Sequence, residues 1–282
     1  MKRRKGWNES MREQTQPFEK KVQRGNKVYR FNFVRIAATA LLLVGLIVLG
    51  ICMTVEKLSD HEQAAVLQQQ YAPLCVTSVP DAGEQSQRRC IVLDPGHGGS
   101  DSGAAVDDVQ EKQINLQICL EAESRLRALG YTVLLTRCDD ADVDTQACVD
   151  KANALGADVY VAVHQNAMEN DTTTHGVETW YETGNDLNTL LAQCLQDTVT
   201  AATDAESLGI KDADDYDTGF MVTGGTQMPS ALIETGFLTN AQECELLQSR
   251  AYQKKIAQGI VDALEDFFEQ ADLADSAFSF ES

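Results

Sequence analysis

Short apolar runs alternate with longer amphipathic stretches between about residues 90 and 269. Six runs have the length and composition of strands: 90–93, 132–135, 159–163, 177–181, 219–222 and 231–233. Between them, apolar residues recur every three or four positions, most clearly in 111–129 and 252–268, and this spacing predicts helices. Strands that alternate with helices predict an α/β domain whose mostly parallel sheet is covered by helices on both faces.

Residues 36–55 form an apolar stretch without a charged side chain. As a helix it would be about 30 Å long, enough to cross the hydrocarbon core of a bilayer. A buried core helix and a cleaved signal peptide are the alternatives. The long basic arm before the stretch and the lack of a small-residue cleavage pattern favour an uncleaved anchor. Cys52 suggests a lipoprotein signal, but Ile51 occupies a position where such signals usually carry a small residue.

The charge of the chain is divided unevenly. Residues 1–35 contain eleven Lys or Arg and three Glu, which predicts a cytoplasmic N-terminus and an outward-facing domain. The rest contains twelve Lys or Arg against forty Asp or Glu, and so acidic a body disfavours nucleic acid as a partner. The predicted organisation is a basic arm, an anchor, a polar stalk, a main domain and an acidic disordered tail, at 1–35, 36–55, 56–89, 90–269 and 270–282.

The chain has eight cysteines, of which Cys52 lies in the predicted anchor. An outward compartment permits disulfides, but the remaining seven are an odd number, so at least one thiol stays free. No paired C-x-x-C spacing occurs, which disfavours a structural zinc ribbon.

Two of the four histidines directly follow apolar runs. His97 stands in LDPGHGGSDSGA and His164 in YVAVHQNA. Sites in open α/β sheets lie at the carboxyl ends of strands, so both are candidate metal ligands rather than ordinary polar groups of a loop. The glycines beside His97 also suggest a phosphate loop, but the G-K-[ST] signature is missing and Asp94 and Asp101 would repel phosphate.

Two glutamates complete the candidate site. Glu111 opens the helix 111–129, and its spacing from Asp108 is also that of a helix cap; from spacing alone the two interpretations are equally good. Two imidazoles and one carboxylate are the His₂Glu ligand set of a catalytic zinc, with the fourth position open for water. Glu234 ends the apolar run SALIE, where a carboxylate is most often merely solvated. Here it would emerge on the same edge of the sheet as His97 and His164 and could act as a general base.

The chain resembles the zinc-dependent N-acetylmuramoyl-L-alanine amidases of the amidase type 3 family in the segments IVLDPGHGGSDSGA, EKQINL, GYTVLLTR, KANALGADVYVAVHQNA, HGVETWY and MPSALIETGFLTN. The resemblance covers about residues 90–269 and implies a mixed sheet of about six strands. It implies Zn²⁺ ligands at His97, Glu111 and His164, and a catalytic Glu234. The implied substrate is peptidoglycan, cut between N-acetylmuramic acid and the first L-alanine of the stem peptide. In layout the chain is similar to compact, membrane-anchored spore-germination amidases of that family.

Two departures from the family pattern carry their own predictions. Cys148 stands where the family usually has an arginine, in a connection that also contains Cys138, and we hypothesise a Cys138–Cys148 disulfide that stiffens it. Gln165 replaces a residue that is more often small, and we expect this change to alter the rim of the pocket.

Three further residues near the site have weaker support as functional residues. Asn166, next to His164, is a candidate for binding substrate. His175 is a conceivable fourth ligand, but a fourth protein ligand would close the position that a catalytic zinc needs open, so we expect it not to bind. Glu178 matches a family motif, and its role is open.

The sequence leaves three functions to compare. The favoured one is a zinc amidase acting on peptidoglycan. A non-catalytic peptidoglycan-binding domain is disfavoured because all four key side chains are present. A zinc peptidase that shortens stem peptides would use the same metal chemistry. No particular protein partner is indicated.

Overall fold

The computed structural model describes residues 19–24, 27–32, 42, 46, 68–76, 89–213 and 225–279. The chain divides into two compact units, Met1–Gln63 and Ala64–Ser282. In the first unit, strand β1 (Glu19–Arg24) pairs antiparallel with β2 (Lys27–Asn32). The basic arm therefore contains a hairpin that the sequence pattern did not predict.

The anchor predicted at 36–55 lies outside the described residues, apart from Leu42 and Leu46. In the part of the chain that the structure describes, no helix combines the length and the hydrophobicity needed to cross a membrane. The anchor therefore stays a prediction.

The second unit holds the remaining described strands and helices. Its strands are β3 (Cys90–Pro95), β4 (Ala105–Val106), β5 (Val109–Gln110), β6 (Thr132–Leu135), β7 (Val159–Asn166), β8 (Val177–Tyr181), β9 (Ser207–Asp212) and β10 (Ser230–Phe237). Its helices are α1 (Glu111–Ala128), α2 (Thr145–Leu155), α3 (Asp186–Thr203), α4 (Ala241–Gln248) and α5 (Arg250–Ser279).

Six strands form one sheet in the order β6–β3–β7–β10–β8–β9. Every neighbouring pair is parallel except β8–β10. This confirms the predicted α/β domain with a mostly parallel, mixed sheet flanked by helices. The strand predicted at 219–222 lies outside the described residues. The edge strand β9 was not predicted, because its sequence SLGIKD contains no continuous apolar run.

Successive residues of a strand point to opposite faces of the sheet, and each face has its own core. Ile91 and Leu93 of β3 belong to the larger core, which also contains the buried faces of α1, α3 and α5. Val92 belongs to the second core, together with Tyr160 and with Val149 of α2. The central strands β3 and β7 are thus packed on both faces, and the residues at their carboxyl ends have a firm support.

The end of α1 agrees with the sequence pattern, whereas the end of α5 differs from it. Helix α1 ends just before Gly130, the predicted stop, which adopts φ 97°. Helix α5 continues to Ser279, so the tail predicted to be disordered from residue 270 is helical as far as that residue. The segment QADLADSAFS lacks Gly and Pro and includes three alanines, which favours continuation of the helix.

The segment before the domain was predicted to be a stalk, but part of it packs on the domain. Leu74 is fully buried in the second core, and Cys75 exchanges two backbone hydrogen bonds with Leu135. Cys75 forms a disulfide with Cys138, with the Cα atoms 6.1 Å apart. The predicted Cys138–Cys148 disulfide is therefore wrong, because Cys138 is bonded to Cys75 and Cys148 is a free thiol of α2 buried in the second core.

Candidate metal centre and active site

The turn after β3 packs closely against strand β7. The N–H of Gly96 donates to the carbonyl of Val163 on β7 at 3.1 Å. A Cβ at position 96 would lie 2.2 Å from the ring of His164, so a glycine is required by this approach. The next residue, His97, adopts φ 63°, which non-glycine residues rarely do. Such an outlier points to a functional constraint on this turn.

His97 is held between two carboxylates. Its Nδ1 lies 2.7 Å from Oδ2 of Asp101, and its Nε2 lies 3.2 Å from Oε2 of Glu111. Its ring stands edge-on to that of His164, with the centroids 4.9 Å apart. The Asp101 contact leaves Nε2 as the nitrogen that faces the centre of the site.

Glu111 is the first residue of α1, and its buried carboxylate turns into the site. Oε1 lies 3.0 Å from Nδ1 of His164 and accepts hydrogen bonds from the N–H of Gln165 and from Asn115. Oε2 accepts from the N–H of Ala104 at 2.9 Å. The residue that caps α1 is Gln110, without a side-chain hydrogen bond, so the cap interpretation of Asp108 and Glu111 is not supported.

The pKa values of this cluster are strongly shifted. The hydrogen bond to Glu111 is the main cause that raises the pKa of His97 to about 9. Burial pulls the pKa of Glu111 upward, but hydrogen bonds to His164 and His97 outweigh it and hold that pKa far below its ordinary value. The shift of Glu111 keeps its carboxylate negatively charged, which is the form that can bind a cation.

The structure thus brings the three predicted ligands together. One ligand atom from each of His97, Glu111 and His164 lies within 4.8 Å of the others. The three come from the turn after β3, the start of α1 and the end of β7. Two imidazoles and one carboxylate suit zinc and leave a coordination position free for water or substrate.

Glu234 lies beside this cluster on β10. In the strand register it stands opposite His164 of β7 on one side and Glu178 of β8 on the other. Its side chain is buried, and its Oε2 has no hydrogen-bond partner among the described residues. Burial first, and then the charges of Glu111 and Glu178, raise the pKa of Glu234 well above its ordinary value.

A second polar group surrounds Glu178. Asn166 and Trp180 donate to its Oε1 at 2.7 and 3.1 Å, and Lys211 of β9 forms an ion pair with its Oε2. Asn166, the candidate for binding substrate, is thereby fixed beside Glu178. Sequence reasoning missed Lys211, because it lies on the edge strand that the pattern did not reveal.

Buried polar residues that were not singled out from the sequence support the site. Asn115 donates to the carbonyl of Gly96 and to Glu111, one helical turn earlier. Arg137 donates to the carbonyls of Pro95 and Gly96, and so holds the turn that carries His97. The sequence signal that could have revealed them is a charged or amide side chain at a position that the helix or strand pattern predicts to be buried.

Gln165 was expected to alter the rim of the pocket, but the structure buries it instead. Its side chain is 2 % exposed, donates to Asn115 and accepts from Thr235. Alternate residues of β7 point to opposite faces of the sheet, so Gln165 lies beneath the site. Its two neighbours on the strand are more exposed than it is.

The other histidines lie elsewhere. Nδ1 of His175 is 2.9 Å from the carbonyl oxygen of Thr173, and its Nε2 is 3.0 Å from Glu206. His175 is not in the metal-ligand group found among the described residues, as expected. His61 lies outside the described residues.

An open cavity of about 410 Å³ gives access to the cluster. His97 and His164 lie at its wall, and Asp142 and Thr145 lie on the other side. Asp142 accepts hydrogen bonds from the N–H and hydroxyl of Ser100, so this rim is tied to the turn of His97.

Comparisons with known proteins agree with this geometry. Residues 91–266 match the Amidase_3 family, N-acetylmuramoyl-L-alanine amidase. The chain is 31 % identical to YqiI of Bacillus subtilis (strain 168), over 70 % of this chain and 94 % of that protein. It is 35 % identical to the N-acetylmuramoyl-L-alanine amidase LytC of the same organism over 63 % of this chain, but spans only 35 % of the length of LytC.

A solved structure shows the same fold. The N-acetylmuramoyl-L-alanine amidase from Clostridium difficile 630 superposes with a TM-score of 0.61 at 33 % identity, over 65 % of this chain and 98 % of that one. The chain therefore belongs to the N-acetylmuramoyl-L-alanine amidase family of peptidoglycan hydrolases.

Proposed function

We propose that this chain is a zinc-dependent amidase that hydrolyses the bond between N-acetylmuramic acid and L-alanine, with His97, Glu111 and His164 as ligands and Glu234 as the proton-transferring residue. The observation that carries the proposal is the convergence of these three ligand atoms within 4.8 Å, next to a buried carboxylate.

The donor set fits zinc in both chemistry and support. Imidazole nitrogens and a carboxylate oxygen are ordinary zinc ligands, and three of them leave the site open. The contact between His97 Nδ1 and Asp101 matches the usual arrangement in which a carboxylate orients a ligating imidazole. Zinc, when bound, would polarise the scissile carbonyl and lower the pKa of a water molecule towards about 7.

Glu234 supplies the proton transfers. A positive charge in the neighbouring site lowers the pKa of Glu234 and favours the carboxylate that can accept a proton from the attacking water. The same carboxyl group can then protonate the departing amine of L-alanine. Its unpartnered Oε2 is an acceptor that no described residue occupies.

The decisive experiment is Glu234→Gln in the full chain, assayed on purified peptidoglycan. We expect zinc to bind as in the wild type while the release of stem peptides falls by a factor of about 10² or more, as for loss of a general acid–base group. Native-rate cleavage by this variant would refute the role of Glu234. Free lactyl groups on the glycan identify an amidase, whereas shortened stems would identify a peptidase.

We also propose that residues 36–55 anchor the chain in the bacterial cell membrane with the catalytic domain outside. The support is the uncharged apolar stretch and the basic arm before it. Protease added to intact protoplasts should digest the catalytic domain and spare the N-terminal arm. Release of the intact chain by a high-salt wash, without detergent, would contradict the anchor.

A further inference from the structure

A second cavity lies away from the metal cluster, between α1 and the start of α5, and encloses about 570 Å³. Five glutamines line it, and we call it the glutamine groove: Gln110, Gln113, Gln117, Gln248 and Gln253. Its volume is in the range of pockets that hold small organic groups. No residue of this groove belongs to the site described above.

Part of the amide groups of the groove is available for a ligand, although Gln248 donates to the carbonyl of Cys244 at 2.9 Å. The side chains of Gln113 and Gln117, one helical turn apart on α1, make no hydrogen bond within the described part of the chain, and neither does that of Gln110. Gln253 is 6 % exposed and donates to the carbonyl of Leu247. Its Oε1 has no partner among residues 89–213 and 225–279. A buried acceptor without a donor is unfavourable, so the Gln253 side chain would gain from turning its Oε1 towards a donor in the groove.

The remaining lining selects a neutral, partly apolar ligand. Asp108 and Arg250 contribute opposite charges, while Val109, Ile114 and Leu116 give the groove aliphatic patches. An acetamido group offers a methyl for such a patch and an N–H for an amide acceptor. Sugar hydroxyls match the glutamine amides, which both donate and accept.

The groove is adjacent to the catalytic cluster along the chain. Gln110 immediately precedes Glu111, whereas Gln113 and Gln117 lie about 160° and 120° around the helix axis from Glu111. A polymer that occupies both places would therefore pass around the start of α1.

We propose that the glutamine groove binds an N-acetylated sugar of the glycan strand, outside the metal site. The identification of the ligand as part of a glycan strand rests on the proposed function. The neutral, amide-rich chemistry of the groove is independent of it, because it comes from the lining side chains alone. Binding there would hold the enzyme on a strand while the metal site takes a stem peptide.

The test measures binding without catalysis. The probe is the β-1,4-linked tetramer of N-acetylglucosamine, titrated calorimetrically into the full chain carrying Glu234→Gln, with cellotetraose as the matched sugar without acetamido groups. We expect the acetylated tetramer to bind and cellotetraose to bind at least tenfold more weakly. The double variant Gln113→Ala/Gln117→Ala should lose at least tenfold in affinity, and the control Gln193→Ala/Gln242→Ala should lose none. Alanine is the best helix former, so the helix is retained.

Three results would overturn the proposal: no binding of the tetramer, equal binding by the groove variant, or preferential binding of a stem peptide that the same variant abolishes. The failure of the proposed function is separate. Tetramer binding that depends on Gln113 and Gln117, in a wild-type chain that releases no stem peptides, supports the groove and refutes the amidase. Release of stem peptides without tetramer binding supports the amidase and refutes the groove.

Discussion

His164 and Glu234 stand opposite each other in the parallel register of β7 and β10, the third and fourth strands across the sheet. The backbone hydrogen bonds of two central strands therefore set the distance between the proposed ligand and the proposed proton-transferring group. Residues at such positions move less than residues on loops, which suits a site that must keep a fixed geometry.

Replacing Asp101 by asparagine should weaken zinc binding by about 10–100-fold, because the carboxylate that contacts Nδ1 of His97 orients that imidazole. Competition with a chromophoric chelator measures the dissociation constant. Asp150→Asn, on an exposed part of α2, is the matched control and should bind zinc as the wild type does. If Asp101→Asn also binds like the wild type, Asp101 serves only to shape its loop.

The zinc-free chain should lose stability as the pH rises from 6.5 through about 9. The folded state raises the pKa of His97 to about 9, so its contribution is fully present below pH 6.5 and is lost as that proton leaves. Urea unfolding at pH 6.5 and 9 measures the loss. His97→Asn should show a smaller fall over this interval; parallel curves for the two proteins would show that His97 is not the cause.

Substitution of Gly96 by alanine should abolish zinc binding, because the new Cβ would lie 2.2 Å from the His164 ring and displace it. Gly156→Ala is the contrast: this residue has φ 63° and open space around its Cβ position. It should cost about 1 kcal/mol of unfolding free energy from backbone strain and leave zinc binding intact. Equal zinc affinity in the two variants would mean that the turn adapts to a side chain.

Reduction of the Cys75–Cys138 disulfide should lower the free energy of unfolding by about 2–4 kcal/mol. Alkylation of the denatured, unreduced chain followed by peptide mapping checks the pairing. Cys148 should be modified, while Cys75 and Cys138 should be modified only after reduction. Protection of Cys148 together with Cys138 would restore the pairing first expected from the sequence.

Much of the site could be predicted because its residues follow recognisable patterns. His97, His164 and Glu234 each follow an apolar run, and the carboxyl ends of neighbouring strands meet at one edge of the sheet. Glu111 was ambiguous, since the spacing of a cap and that of a ligand coincide; only the direction of its carboxylate separated them.

What escaped prediction depends on long-range contacts. Cys75 lies in a polar segment without periodicity, so nothing local indicates that it pairs with the end of β6. Lys211 lies on an edge strand that lacks an apolar run. The burial of Gln165 depends on partners, Asn115 and Thr235, that are 50 and 70 positions away.

The disulfide between Cys75 and Cys138 also closes a covalent loop that contains β3, His97 and Glu111. A protease cut in the chain inside this loop would therefore leave the two pieces joined, and only a reductant would separate them.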